Sequence, residues 1–188
     1  MGQQFDQLQQ QHIEFIGQQQ MFFVATAASD GRVNMSPKGA DSLRVIDANK
    51  IAWMNLTGSG NESAAHVLKQ SRMTIMWCAF DGAPLILRSY GQAQVLHRAD
   101  SLWPDYIKLF PASAGARQIF ILDIDLVQAS CGMSVPLYDY VEQRAALNNW
   151  AEKIGDEGIQ RYWLKKNQRS LDGFDSEIKQ RAAISYSE

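Results

Sequence analysis

Cysteine, proline and histidine are scarce in this sequence of 188 residues, which contains two, five and three of them. Cys78 and Cys131 are too few for a disulfide framework and lack the spacing of a metal site, so we expect reduced thiols in a cytoplasmic protein. His12, His66 and His97 are scattered, without a carboxylate or thiol at ligand spacing. No metal site is therefore predicted.

Long apolar runs, a strong excess of one charge and the common catalytic motifs are also missing. No apolar run approaches the roughly 20 residues that span a bilayer, and the N-terminus lacks the basic start and apolar core of a signal peptide. A net charge of −2 argues against a nucleic-acid or anionic-membrane surface. No GxGxxG, GxxxxGKS/T, HExxH, CxxC or GxSxG motif occurs. We expect no nucleic-acid or membrane partner, and no catalytic residue is singled out.

The overall composition is that of a globular protein, with 46% hydrophobic and 20% charged residues. At this length one sizeable core is expected, so residues 1–188 are assigned to a single domain. Apolar residues recur at helical spacing over residues 4–20, which predicts an amphipathic helix in which His12 packs and is not a ligand. Two further helices are predicted near the C-terminus, over residues 139–154 and 156–167.

Between these helices, strand patterns alternate with hairpin signals. Six or seven mostly hairpin-linked strands, with two inserted helices, predict a closed or nearly closed antiparallel barrel and disfavour a doubly wound α/β sheet. Gly91 is expected at a bulge or bend. The strand segments are MFFVATAA (21–28), RVNMSPK (32–38), SLRVID (42–47), IAWMNLT (51–57), MTIMWCAF (73–80), PLILRSYGQAQVLH (84–97) and RQIFILDIDLVQAS (117–130).

Residues 57–63, TGSGNES, open the helix that follows the fourth strand. The free N–H groups and the dipole of a helix start favour an anion, and hydroxyl and amide side chains add hydrogen-bond donors. Ser59 and Glu62 also fit a capping box, which explains them without a ligand. Both interpretations stay open from the local sequence.

Residues 34–39, NMSPKG, end the second strand. Lys38 is expected on the strand beside the one that ends at Thr57, where it would either complete a phosphate site or be a solvated lysine of an edge strand. Asp123 and Asp125 fall on one face of the last strand, as paired acids or simply as its solvent face.

The order of these motifs resembles the pyridoxamine 5′-phosphate oxidase-like family of flavin-binding split β-barrels. The likeness covers roughly residues 5–130, carries SPKG, LTGSGNE, RQIF and SCGMSVP in order, and is greatest to a branch with a helical tail. It implies a six- or seven-stranded antiparallel split barrel over residues 5–130 and a helical extension over 131–188. It also implies a homodimer that binds FMN at the subunit interface.

The resemblance further implies which positions hold the cofactor. In the family, the strand after the first hairpin lines the flavin ring, the next strand end and helix start hold the ribityl chain and phosphate, and the partner's later strands close the site. The matching residues are Asn34, Met35, Ser36 and Lys38 for the ring, Asn55, Leu56, Thr57, Ser59, Asn61, Glu62 and Ser63 for ribityl and phosphate, and Arg88, Arg117 and Gln118 for the closing strands.

One departure from the family pattern bears on function. The oxidases place Arg-Lys at the helix start, whereas this chain has Ser63-Ala64. The phosphate charge would then be compensated by Lys38, by an arginine of the second chain or by the helix dipole. A deazaflavin or haem is an alternative to FMN. The oxidases' substrate-phosphate residues also have no clear counterpart, which speaks against vitamin B6 oxidation.

The leading hypothesis is an FMN-dependent oxidoreductase of a small molecule, in which the flavin carries the redox chemistry and the protein orients and tunes it. The first alternative is a non-enzymatic flavin, deazaflavin or haem binding protein, acting as a carrier or sensor. The second is a B6-phosphate binding module. Residues 130–140, SCGMSVPLYDY, either cover the flavin face or turn the chain into the tail helices.

Overall fold

An antiparallel sheet forms the centre of the protein in a computed structural model that describes residues 2–185. Its strands are β1 (Gln3–Phe5), β2 (Phe22–Thr26), β3 (Asn34–Lys38), β4 (Leu43–Asp47), β5 (Lys50–Leu56), β6 (Arg72–Cys78), β7 (Ile86–Leu96) and β8 (Ala116–Ser130). Within the described residues these eight strands run in the order β3-β2-β6-β7-β8-β5-β4, and β1 pairs with β8. The open sheet confirms the predicted mainly antiparallel fold and adds one short strand at the N-terminus.

The helices lie before, between and after the strands. They are α1 (Gln10–Gln18), α2 (Glu62–Lys69), α3 (Trp103–Ile107), α4 (Ala146–Lys166) and α5 (Ile178–Arg181). The prediction of a helix over residues 4–20 is wrong at its start, because residues 3–5 pair with residues 127–129 of β8. His12 is buried in α1 and contacts the edge of the Phe5 ring at 4.8 Å, so its predicted packing role is confirmed.

The C-terminal extension differs from its prediction at one end. The predicted break between two helices is confirmed, since Gly155 interrupts α4 with φ 68°, a conformation that favours glycine. The predicted start at residue 139 is wrong, because residues 131–145 are not helical. Backbone and side-chain groups of this segment bond to other parts of the chain instead: the Tyr138 N–H donates to the Phe80 carbonyl at 2.9 Å, and Gln143 Nε2 donates to the Gln20 carbonyl at 3.0 Å.

Aromatic residues on neighbouring strands fill the core. Trp53 of β5 lies opposite Phe120 of β8, and the two rings stack with centroids 4.7 Å apart. Phe22 of β2 meets Trp53 edge-on at 6.3 Å. Such pairs contribute about 0.5–1.5 kcal/mol each beyond the apolar area that they bury. The core thereby fixes β5, whose C-terminal end leads into the TGSGNES segment.

The long strands β7 and β8 carry two features that the sequence predicts. Their register shifts between Tyr90 and Gly91, which confirms the bulge; a Cβ at Gly91 would lie 1.9 Å from the Asp123 carbonyl oxygen. The side chains of Asp123 and Asp125 are exposed, and Asp123 pairs with Lys50 at 3.4 Å. These two acids therefore form the solvent face of the strand.

Among residues 2–185, no helix combines the length and the apolar character needed to cross a bilayer.

Candidate functional site

The TGSGNES segment connects β5 to α2, and its helix start is not capped in the way the sequence suggested. Asn61 is the N-cap residue and makes no side-chain cap bond. The expected capping box of Ser59 and Glu62 does not form, because the Glu62 carboxylate accepts the N–H of Leu171 at 2.8 Å. Glu62 is thus turned towards the C-terminal extension. The helix-capping interpretation is wrong.

The first turn of α2 therefore keeps backbone donors that face no capping side chain. In any helix the first N–H groups lack intrahelical partners, and the dipole adds positive potential there. In α2 the N–H of Ala65 bonds to the Asn61 carbonyl at 3.3 Å. The preceding amides, together with the hydroxyls of Ser59 and Ser63, are available to an anion.

Arg117 of β8 lies beneath this segment. Its side chain is buried, and Nη1 donates to the Gly60 carbonyl at 2.9 Å. Burial lowers the pKa of Arg117 to about 9, while Tyr162 and Glu62 act in the opposite direction. Its Nε has no hydrogen-bond partner within the described part of the chain. An arginine buried without a carboxylate bonded to it is costly unless an anion compensates its charge.

Lys38 of β3 supplies a second positive charge. Its Nζ lies 5.2 Å from the centroid of the Trp53 ring, a distance at which a cation and an aromatic face attract. Burial, and then the charge of Arg117, lower the pKa of Lys38 to about 8. No salt bridge to Lys38 is found among residues 2–185. The two cations repel each other, and this repulsion favours a ligand anion nearby.

The predicted neighbourhood of Lys38 needs one correction. β3 pairs with β2 and not with β5, so Lys38 is not on the strand beside the one that ends at Thr57. It reaches Trp53 of β5 because the curved sheet brings its two edge regions together. The predicted proximity of Lys38 to the TGSGNES segment holds, but through space and not through strand pairing.

A cavity of about 330 Å³, here called the loop cavity, lies where these elements meet. Gly58 and Gly60 also line it, and most of the residues expected to hold the cofactor contribute to it. These are Asn34, Ser36, Lys38, Asn55, Leu56, Ser59, Asn61, Glu62, Ser63 and Arg117. Arg117 was expected from a partner chain, whereas the structure brings it to the cavity of its own chain.

The remaining expected residues lie outside the lining. Met35 alternates with Ser36 along β3, and its side chain is exposed on the other face. Gln118 is buried behind the cavity, where its Oε1 accepts the Asn55 amide at 3.1 Å. Arg88 of β7 donates to the Ser130 hydroxyl at 3.2 Å. A role for these residues in cofactor binding stays a prediction.

Thr57 also faces away from the cavity and instead docks the C-terminal extension. Its hydroxyl donates to the Gly115 carbonyl at 2.9 Å and accepts Trp163 Nε1–H at 2.9 Å. Trp163 is fully buried, and the Arg98 guanidinium covers its ring at 4.5 Å. The helical extension is therefore packed directly against the base of the TGSGNES segment.

Asn167 is the residue that the sequence reasoning missed. Its Nδ2 donates to the Gly58 carbonyl at 3.0 Å, and its backbone carbonyl accepts Asn61 Nδ2 at 3.0 Å. The Ser176 hydroxyl also donates to that carbonyl at 2.6 Å. No local pattern signals these bonds. The one available hint is the helix predicted over residues 156–167, which ends at this residue.

Comparison with known proteins agrees with this architecture. The sequence profile of the pyridoxamine 5′-phosphate oxidase family matches residues 8–131. The chain is 36% identical over 173 residues to the pyridoxamine 5′-phosphate oxidase family protein ustO of Aspergillus flavus, covering 82% of this chain and 70% of that one. The antiparallel sheet with a polar cavity at the start of α2 is thus a split barrel of the type found in this family. The chain belongs to the pyridoxamine 5′-phosphate oxidase family.

Solved structures support the fold. A candidate pyridoxamine 5′-phosphate oxidase from Lactobacillus delbrueckii superposes with a TM-score of 0.53 at 18% identity, over 65% of this chain and 94% of that one. HupZ from group A Streptococcus superposes with a TM-score of 0.50 at 16% identity, over 63% and 91%. At these identities the likeness concerns the split-barrel fold alone. The family match ends at residue 131, so Trp163 and Asn167 lie beyond it.

Proposed function

We propose that the protein is an FMN-dependent oxidoreductase that acts on a small organic molecule. The observation that carries this proposal is the convergence of Arg117, Lys38 and the free amides of α2 on one cavity, with no carboxylate paired to either cation in the described part of the chain. Such a set compensates a phosphate monoester better than it does a neutral ligand. Because the chain belongs to this family, FMN is the phosphate-bearing cofactor that we propose.

The residues present fit this cofactor from its phosphate end. Arg117, the α2 amides and the hydroxyls of Ser59 and Ser63 would hold the phosphate. Asn34 and Asn55 would offer amide groups to the polar parts of the flavin; Asn34 Nδ2 already donates to the Ser63 hydroxyl at 3.3 Å. When bound, the flavin supplies hydride or electron transfer, and the protein supplies orientation and electrostatics. Because the flavin would supply the redox chemistry, no acid–base motif of the protein is needed.

FMN is favoured over haem by the side chains around the cavity. All three histidines of the chain, His12, His66 and His97, are buried and none of them lines the loop cavity. Burial, together with Arg181, lowers the pKa of His97 to about 4, so it is neutral and adds no charge. Besides the Glu62 carboxylate, which accepts the N–H of Leu171, the cavity presents two cations and several amides, and these suit a phosphate.

We infer that the protein is a homodimer whose partner covers the loop cavity. Several large apolar side chains are exposed at β3, just before it, and on the segment that follows β8, among them Val33, Met35, Leu137 and Val141. Clustered exposed apolar residues favour a protein interface. Sedimentation velocity should give twice the mass of the chain, and Met35→Asp should shift the protein towards monomer. A monomeric wild-type protein would contradict the shared site.

Spectroscopy and turnover test the proposed activity. Protein purified without added cofactor, or titrated with FMN, should show a bound-flavin absorption spectrum and a higher melting temperature. Addition of NADH or NADPH should reduce the flavin, with continued turnover in air. A protein that binds FMN but is not reduced by any donor would support a carrier or sensor. A colourless protein that neither quenches FMN fluorescence nor changes its melting temperature would exclude flavin binding.

A further inference from the structure

Ser63 and His66 lie three residues apart on α2, so both side chains are on one face of the helix. That face packs on the end of β2, where the Thr26 hydroxyl lies 3.4 Å from the Ser63 hydroxyl and 3.2 Å from His66 Nδ1. All three residues are buried. They form a hydrogen-bonded row, here called the hydroxyl relay, that runs from His66 through Thr26 to Ser63. Its last member lines the loop cavity, whereas Thr26 and His66 do not.

Asn34 gives the Ser63 hydroxyl a second partner from the neighbouring strand. Thr26 of β2 lies directly opposite Asn34 of β3, and residues opposite each other on paired strands point to the same side of the sheet. Asn34 Nδ2 accordingly donates to the Ser63 hydroxyl oxygen at 3.3 Å. The β2–β3 hairpin thus brings two side chains to one hydroxyl group.

The number of protons in the relay limits how it can be arranged. A hydroxyl has one proton and two lone pairs, and a neutral histidine has one N–H. If His66 Nδ1 carries that proton, it donates to Thr26, and Thr26 donates to Ser63. Ser63, which also accepts from Asn34, then has both lone pairs occupied, and its own proton is left for the loop cavity. If Nδ1 is unprotonated, Thr26 donates to His66 instead, and the Ser63 proton is drawn to the Thr26 oxygen.

The C-terminal extension covers the far end of the relay. Phe174 meets the His66 ring edge-on, with centroids 6.4 Å apart, and the Lys69 ammonium lies 5.5 Å from the centroid of the Phe174 ring. His66 is only 2% exposed. Hydrogen bonds that are kept from water polarise one another. The protonation of His66 Nδ1 therefore acts on Ser63 without competition from solvent.

We propose that His66 and Thr26 are positioning residues for the loop cavity, in which the Nδ1–H tautomer of His66 orients Thr26 so that the Ser63 O–H donates to the cofactor phosphate. The inference rests on the proposed function, which places the phosphate of FMN against Ser63. A dianionic phosphate accepts hydrogen bonds and cannot donate them, so it favours the arrangement in which Ser63 is a donor. The other tautomer would turn an oxygen lone pair towards the phosphate and weaken its binding.

Affinities for FMN and riboflavin test the relay, by fluorescence quenching titrations of single and double variants. The quantity compared is the phosphate preference, the riboflavin dissociation constant divided by that of FMN, because a general structural defect weakens both ligands. Ser63→Ala should lower this preference about tenfold, the value of one charge-assisted bond. Thr26→Val, which keeps the shape and removes the hydroxyl, should lower it several-fold, and Thr26→Ser should leave it unchanged. Ser63→Ala combined with Thr26→Val should lower it no further than Ser63→Ala alone, because Thr26 acts through Ser63.

A second pair of variants tests His66. His66→Asn places an amide nitrogen at the position of Nδ1 and should keep the phosphate preference. His66→Leu places a methyl group there and should lower the preference as much as Thr26→Val does. His12→Leu is the matched control, since His12 is a buried histidine of α1 that does not line the loop cavity. It should lower the melting temperature without changing the preference.

Nitrogen-15 NMR of protein with labelled histidines reads the tautomer directly. The His12 and His66 signals are assigned from the variants above, and His66 Nδ1 should be protonated both in the FMN complex and with inorganic phosphate. An unprotonated Nδ1, or an unchanged preference in Thr26→Val and His66→Leu, would overturn the relay, while a wild-type preference for FMN would still support the phosphate site. Equal wild-type affinities for FMN and riboflavin would contradict the proposed function instead. The relay is then decided by the His66 signal with inorganic phosphate, where an unprotonated Nδ1 overturns it as well.

Discussion

The side-chain amide of Asn167 donates to the carbonyl of Gly58, at 3.0 Å, across 109 residues of sequence. The Asn167 backbone carbonyl meanwhile accepts the side chain of Asn61 at 3.0 Å. One residue of the C-terminal extension thus holds both ends of the glycine-containing segment that begins the site. Because the Gly58 carbonyl points to Asn167, and that of Gly60 to Arg117, the segment is fixed before any ligand arrives.

Asn167→Ala should therefore weaken FMN binding. The change removes one buried hydrogen bond and leaves the Gly58 carbonyl less well bonded, which costs about 1–3 kcal/mol. Because the bond orders the segment that meets the phosphate, FMN affinity should fall by roughly tenfold or more, and riboflavin affinity by less. Fluorescence quenching titrations measure both. Lys166→Ala, at the exposed neighbouring position, is the control; an unchanged FMN affinity in Asn167→Ala would contradict a positioning role.

Lys38 should make the binding of FMN depend on pH. Its pKa is lowered to about 8, so it is charged below that pH and neutral above it. The charged form attracts the phosphate, and the affinity for FMN should therefore fall several-fold as pH rises from 7 to 9.5. The charged groups near Lys38 are Arg117 of β8, Glu62 of α2, and Glu142 and Arg144 of the segment between β8 and α4.

Lys38→Met separates this effect from the titration of the neighbouring groups. The variant should bind FMN with nearly the same affinity at pH 7.5 and pH 9.5, because the titrating ammonium is gone. A variant that keeps the wild-type pH dependence would show that another group is responsible.

Gly91→Ala should destabilise the fold. A Cβ at this position would lie 1.9 Å from the Asp123 carbonyl oxygen, so β7 and β8 would have to separate at the bulge. We expect a loss of about 1–3 kcal/mol in the free energy of unfolding, the usual cost of overpacking. Gly17→Ala is the matched control, since nothing lies within 4 Å of that position in α1. It should stabilise by about 0.5–1 kcal/mol. Urea denaturation measures both, and a neutral Gly91→Ala would contradict the close approach.

Local patterns predicted much of the barrel. The strand segments that form β2, β5 and β8 and the glycine in β7 are properties of a few adjacent residues, and the structure has them where the sequence indicated. The start of α1 was misplaced because β1 gains its bonds from β8, about 120 residues away. Pairing of this kind is invisible to a local pattern.

The site could be predicted in part for the same reason. Ser59, Asn61 and Ser63 were expected at a helix start, and they are there. The direction of the Glu62 carboxylate could not be predicted, because its hydrogen-bond partner, the N–H of Leu171, lies 109 residues away in the sequence. Nor could it be predicted that Arg117 lines the loop cavity of its own chain, since that depends on how far the open sheet curves. Local sequence rules give the donors of the site but not their partners.

The most direct test compares the affinity of the protein for FMN and for riboflavin, which differ only in the phosphate. Two charge-assisted hydrogen bonds to the phosphate, at about 1.5–3 kcal/mol each, imply that FMN binds at least about 100-fold more tightly. Fluorescence quenching at pH 7.5, where the phosphate is mostly dianionic, measures both dissociation constants. A preference of that size would support a phosphate site formed by Arg117 and the start of α2. Equal affinities, or no binding of FMN, would contradict it.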